Sequence, residues 1–61
     1  MFKTVEKRIR ELAKEGMPED FLIEAADSYS INEDGKPATA RYIINGLDTE
    51  AEKFREIMKE Q

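Results

Sequence analysis

The stretch that decides the fold class runs from residue 38 to residue 47 and reads Ala-Thr-Ala-Arg-Tyr-Ile-Ile-Asn-Gly-Leu. At helical spacing one face of it is apolar, formed by Ala40, Ile43, Ile44 and Leu47. At strand spacing a different set alternates with polar residues, namely Ala38, Ala40, Tyr42 and Ile44. We favour the helix, because Pro37 is placed to start it and the pair Asn45 and Gly46 to end it, with Leu47 available for the apolar contact of a glycine cap. The strand alternative gives an α+β fold with helices packed on a β-hairpin around residues 28–46.

Upstream, the apolar residues recur at steps of three and four, as in two amphipathic helices. The first helix covers residues 2–14, and its apolar face consists of Phe2, Val5, Ile9 and Leu12. Gly16 ends it, because glycine takes positive φ with little strain. Pro18 suits the first turn of a second helix over residues 18–29, whose apolar face consists of Phe21, Leu22, Ala25, Ala26 and Tyr29.

Downstream, Thr49 and Glu52 have the spacing of a capping box and predict the start of a last helix. Its apolar side consists of Leu47, Ala51, Phe54, Ile57 and Met58. The pattern therefore predicts one small domain over residues 1–61, mainly α, built as a bundle of three to four helices.

Composition excludes most kinds of catalytic and metal site. The 61 residues include no histidine and no cysteine, so the usual nucleophile and base pairs and zinc sites cannot form. Residues 30–35 resemble the middle of a calcium loop, but its first position is Ser30 and its twelfth is Arg41, so an ordinary acidic turn is the better interpretation. We expect a protein that is not an enzyme and uses no cofactor and no metal.

Charge and hydropathy indicate a soluble, cytoplasmic protein without a membrane segment. Charged residues are 39% of the chain, and no apolar run approaches the roughly 20 residues of a membrane span. The net charge is −4, and the middle of the chain, residues 17–35, has carboxylates but no cation. Such a segment favours a basic protein partner, although charge of this kind is more often simply a solvated surface. The candidate partner-binding residues are Glu19, Asp20, Glu24, Asp27, Glu33 and Asp34.

The first helix has a basic stripe at steps of four, three and four, formed by Lys3, Lys7, Arg10 and Lys14. These side chains suit sequence-independent contacts with nucleic-acid phosphates. The more ordinary interpretation is a solvated surface in which Glu6, Glu11 and Glu15 are interleaved with the cations, with ion pairs of Glu6 with Arg10 and of Lys7 with Glu11. Tyr29 and Tyr42 could anchor a partner, but their spacing also suits the edge of the core.

Two segments, residues 16–26 (GMPEDFLIEAA) and residues 41–47 (RYIINGL), resemble the C-terminal helical domain of the DnaD and DnaB primosome proteins. The resemblance covers about half of the chain. In that family an aliphatic residue and then an aromatic residue follow the tyrosine segment, whereas this chain has Gly46 and Glu50 there. The resemblance implies a phage or bacterial accessory of DNA replication that binds DNA or a helicase loader. It implies Arg41 and Tyr42 as further candidate nucleic-acid-binding residues.

Three functions are consistent with these features. The first is a small protein-binding regulator or adaptor that acts through an acidic or apolar surface on a larger partner. The second is the replication accessory, which binds nucleic acid through the basic stripe. The third is a structural homodimer, because self-association stabilises many domains of this size.

Overall fold

The computed structural model describes residues 1–60, and in that part of the chain it contains three α-helices and no strand. They are α1 (Lys3–Lys14), α2 (Glu19–Ser28) and α3 (Ala40–Lys59). The prediction of a small helical bundle is confirmed, with three helices as the number. The β-hairpin alternative is wrong, because most of residues 38–46 belong to α3.

The core face of α1 follows the predicted spacing. Val5, Ile9 and Leu12 are buried, and Gly16 reverses the chain with a φ of 107°. Phe2 differs from the prediction, because it precedes the first turn of the helix and its side chain is 50% exposed.

The second helix also packs as predicted, with Pro18 directly before its first residue. Leu22, Ala25 and Ala26 are buried, whereas Ile23 lies outside the core face and is exposed. The buried face has two alanines in succession, which lets the backbone of α2 approach its neighbours closely.

A short closed loop joins α2 to α3 where a hairpin was the alternative. Its only β pairing is a single antiparallel bridge between Ile31 and Pro37. The side-chain oxygen Oδ1 of Asn32 accepts hydrogen bonds from the backbone N–H groups of Asp34 (2.9 Å) and Lys36 (3.0 Å). Local bonding of this kind makes asparagine a turn residue. It adds to two backbone hydrogen bonds of 2.8 Å that flank the bridge, donated by the N–H of Asn32 to Lys36 and by the N–H of Ala38 to Ser30.

The third helix is continuous for 20 residues, so the predicted break at Asn45 and Gly46 is wrong. It begins after Thr39, whose hydroxyl oxygen accepts a hydrogen bond from the N–H of Tyr42 at 3.2 Å. Gly46 is buried in the middle of this helix, under the ring of Tyr29. Its lack of a side chain allows the two helices to approach each other here, which is a different use of glycine from a cap.

The predicted capping box is wrong for the same reason, since Thr49 lies inside a helix. Its hydroxyl donates a hydrogen bond to the carbonyl oxygen of Asn45, one turn earlier, at 3.0 Å. Glu52, the other member of the predicted box, forms a salt bridge with Arg55 at 3.4 Å. A capping box needs free backbone N–H groups, and in the interior of a helix these are already bonded.

The contacts between helices define an up, down, up bundle. Arg8 pairs with Asp48 and Glu15 pairs with Arg55, so α1 and α3 are parallel and aligned residue by residue. The ring of Phe21 packs against that of Phe54, with centroids 5.5 Å apart, at the end of α2 opposite to Tyr29. Helix α2 therefore runs antiparallel to its two neighbours.

The last turn of α3 extends beyond the other two helices. Position 55 is level with Glu15 at the end of α1, so the residues that follow have no helix beside them. Ile57 and Met58 are more than half exposed, whereas Phe54 is half-buried against the core. The prediction that Ile57 and Met58 line the core is wrong, because the apolar stripe of α3 is longer than the surface that covers it. The largest fully buried side chains lie where the three helices are side by side, namely Val5, Leu12, Leu22 and Leu47.

Candidate functional site

The four cations of the basic stripe lie in a narrow row on α1. At 100° per residue, Lys3, Lys7, Arg10 and Lys14 lie within about 60° of one another around the helix axis. The core residues of α1 lie on the opposite side, and all four cationic side chains are exposed. The row spans 12 residues, which is roughly 16 Å along the axis. The structure therefore brings together the candidate residues of α1.

The carboxylates of α1 are mostly paired away from this row. Glu11 pairs with Arg8 at 3.0 Å, and Glu15 accepts from Arg55 Nη2 through both of its oxygens, at 2.9 and 3.1 Å. Arg8 also donates from Nε to Asp48 at 2.8 Å. These hydrogen bonds raise the pKa of Arg8, for which the bond to Asp48 is the largest cause, and the bond to Glu15 raises the pKa of Arg55. Two of the three anions expected to neutralise the row are therefore held by other arginines.

The predicted ion pairs within the row are wrong for the part of the chain that the structure describes. Neither the pair of Glu6 with Arg10 nor that of Lys7 with Glu11 is among its five salt bridges. Glu6 flanks the row and is exposed. Over residues 1–60, the four cations of the row form no salt bridge at all.

The candidate acidic residues fall into two groups. Asp20, Glu24 and Asp27 lie within about 60° of one another on the side of α2 opposite Leu22. The remaining three lie apart from this row, Glu19 in the first turn of α2 and Glu33 and Asp34 in the loop. All six are exposed, and none forms a salt bridge among the described residues.

The two residues implied by the family resemblance lie on different sides of α3. Arg41 is exposed and lies seven residues before Asp48, on the side of α3 that faces α1. Tyr42 is half-buried on the α2 side, with its ring edge-on to Tyr29 at a centroid distance of 6.1 Å. They therefore do not form one surface with each other, and Tyr42 is part of the packing.

Tyr29 has a structural role at the same contact. Its ring covers Gly46, and its hydroxyl donates to Oε1 of Glu50 at 3.2 Å. Loss of hydration raises the pKa of Tyr29, and the hydrogen bond to Glu50 adds to the shift. This arrangement holds α2 against α3, and the ring face over Gly46 is used for packing.

Sequence patterns did not predict a depression of the surface that we call the end groove. It lies where α1 and α3 begin and α2 ends, and it has a volume of about 650 Å³. Val5, Ala26, Ala38 and Ile43 form its buried floor. Met1, Phe2 and Pro37 form exposed apolar walls, and Asp27 and Ser30 are the polar residues of its lining. The sequence did contain one indication of the groove, because Phe2 is an aromatic residue placed just before the first helical turn.

The described residues contain neither a candidate metal-binding cluster nor a candidate membrane span. No group of three or more carboxylate, histidine or cysteine side chains in residues 1–60 could hold a metal ion. The loop that resembles a calcium site uses its asparagine oxygen for backbone hydrogen bonds instead. In the same residues, no helix combines the length and the apolar character needed to cross a bilayer.

Comparisons with known proteins assign no family. No protein-family model matches this chain, and no curated protein and no solved structure matches it at a significant level. The resemblance to the DnaD and DnaB domain therefore stays a prediction, based on residues 16–26 and 41–47.

Proposed function

We propose that this bundle is a non-enzymatic adaptor or regulator that binds a segment of another protein in the end groove. The observation that supports this most is the apolar lining of the groove combined with its exposed walls. Phe2 is 50% exposed and Met1 is 64% exposed beside a floor of buried aliphatic side chains. Contiguous apolar surface of this kind is typical of interaction sites on small proteins.

The charge near the groove favours a basic segment as the ligand. Asp27 contributes a carboxylate to the lining, and it is the last member of the acidic row on α2. Electrostatic complementarity acts mainly on the association rate and on partner selection. We therefore expect the partner to insert one or two large apolar side chains and to carry lysine or arginine beside them, as amphipathic helices in grooves do.

Selection from a displayed library of random peptides tests this proposal, because such a library samples apolar, basic and acidic segments alike. We expect the selected peptides to combine an aromatic or aliphatic anchor with flanking basic residues. Their affinities, measured by titration calorimetry, should fall by at least about tenfold in Phe2→Ser, because a well-packed anchor contributes more than about 1.4 kcal/mol.

Ile57→Ser is the matched control variant. Ile57 is exposed to a similar extent, 57%, but lies at the opposite end of the bundle. The Ile57→Ser protein should bind the selected peptides with the same affinity as the parent protein. Selection of acidic peptides, or equal losses in the two variants, would contradict the proposed site.

A further inference from the structure

We propose that the basic row on α1 binds the phosphate backbone of duplex nucleic acid without reading its sequence. This surface is separate from the end groove, since its residues point away from the core on the outer side of α1.

The first step of the argument is that the row does not stabilise the fold. Lys3 and Lys7, Lys7 and Arg10, and Arg10 and Lys14 are like-charged neighbours at three or four residues, which destabilise a helix by a few tenths of a kcal/mol each. Over residues 1–60 they have no salt-bridge partner that would offset this repulsion. An anionic ligand bound along the row would offset this repulsion.

The second step is that the fold removes the anions that sequence spacing places near the row. Arg8 holds Glu11 and is itself anchored by Asp48 of α3, whereas Arg55 of α3 holds Glu15. Without these contacts the carboxylates of α1 would be free to pair with Lys7 and its neighbours. The docking of α3 therefore leaves four cations in the row with Glu6 as the one flanking carboxylate that no arginine holds.

The third step is geometric. The row is straight and roughly 16 Å long, and a B-form duplex carries one phosphate for every 1.7 Å or so of its axis when both strands are counted, so that length of duplex holds about nine phosphates, more than the four cations can contact. The acidic row of Asp20, Glu24 and Asp27 lies on the outer side of a different helix, so a duplex along α1 does not have to cross it.

The fourth step selects the duplex over a single strand. Proteins that hold unpaired strands place aromatic rings between the cations, and bases stack on these rings. No aromatic residue lies on the row, and the ring of Tyr42 is packed against Tyr29. Lysine and arginine side chains that contact only phosphates carry no information about base sequence.

The test measures fluorescence anisotropy of a labelled 20-base-pair DNA duplex of arbitrary sequence. With four phosphates neutralised, the logarithmic salt slope for a duplex is about −3.6, so affinity should fall by about 150-fold between 50 and 200 mM salt. The same oligonucleotide as a single strand should bind more weakly at 50 mM salt. Circular dichroism confirms that each variant is folded.

The decisive comparison uses two double variants that change net charge equally. Lys7→Glu with Arg10→Glu reverses the centre of the row, whereas Lys36→Glu with Lys59→Glu reverses two exposed lysines elsewhere. The first should lose at least about tenfold in affinity at 50 mM salt and about half of the salt slope, and the second should lose less than about threefold.

Three results would overturn the proposal. They are no duplex binding at 50 mM salt, equal losses in the two double variants, and binding only to vesicles of phosphatidylserine and phosphatidylcholine tested in parallel. Phe2→Ser should keep full duplex affinity, so the outcome is independent of the end groove.

Discussion

Substitution of Gly46 by alanine tests how closely α2 and α3 are packed. An ideal Cβ at this position would lie 2.5 Å from Cδ2 of Tyr29 and still closer to Cγ and Cδ1 of that ring. Carbon atoms in contact are normally about 3.5–4.0 Å apart, so the ring would have to move by more than about 1 Å. Rotation of the ring about the Cβ–Cγ bond leaves Cγ in place, so this rotation alone does not clear the overlap. Either the Cα–Cβ torsion of Tyr29 must change or the end of α2 must shift.

Two opposing effects set the magnitude. Alanine in the interior of a helix is more favourable than glycine by about 1 kcal/mol. Overpacking in a rigid contact costs about 1–3 kcal/mol, and the displacement also weakens the hydrogen bond from Tyr29 to Glu50. We therefore expect Gly46→Ala to lower the free energy of unfolding by about 1–2 kcal/mol, against the gain that helix propensity alone predicts.

Urea denaturation monitored by circular dichroism measures this difference, and two further variants make it specific. Asn45→Ala, at the adjacent exposed position of α3, should stabilise the protein by a few tenths of a kcal/mol. In a Tyr29→Ala background the clash is removed, so Gly46→Ala should become stabilising, and the double-mutant cycle gives a coupling above about 1 kcal/mol. A Gly46→Ala protein at least as stable as the parent would refute the close-packing argument.

Two further predictions concern the core and the packed tyrosine. Leu12→Ala should lower the free energy of unfolding by about 2–5 kcal/mol, measured by urea denaturation, because the side chain is fully buried, whereas Ile57→Ala should change it by less than about 0.5 kcal/mol. Tyr29 has a raised pKa in the folded state, so the stability that its neutral form contributes is present below pH about 10 and is lost as the pH rises through the raised pKa. Tyr29→Phe lacks this loss, so the stability difference between parent and variant should shrink in denaturation experiments above pH about 10, and a constant difference would contradict the assignment.

The helical character of each segment could be predicted from the sequence, but the length of α3 could not. Spacing at three and four residues placed Val5, Ile9 and Leu12 correctly, since these depend only on local periodicity. Gly46 has the local signature of a helix end, and only its contact with Tyr29, 17 residues away in the chain, explains why the helix continues through it. The false capping box at Thr49 followed from that first error.

The candidate surfaces show the same division between local and long-range information. The alignment of the basic row follows from helical periodicity and was predictable. The pairing of Glu15 away from the row was not predictable, because its partner Arg55 lies on another helix, 40 residues further along the chain. The end groove also combines residues from all three helices and the loop before α3, so no single segment of sequence indicates it.

The odd number of helices has a practical consequence for where the protein can be tagged or immobilised. Because α1 and α3 run in the same direction, Met1 lies beside the groove, whereas residue 60 lies at the far end of a helix about 30 Å long. A tag, dye or surface linkage placed ahead of Met1 would obstruct the groove, while the same group placed after residue 60 would leave it open. Immobilisation through the carboxyl end is therefore the orientation in which an assay can report on peptide capture.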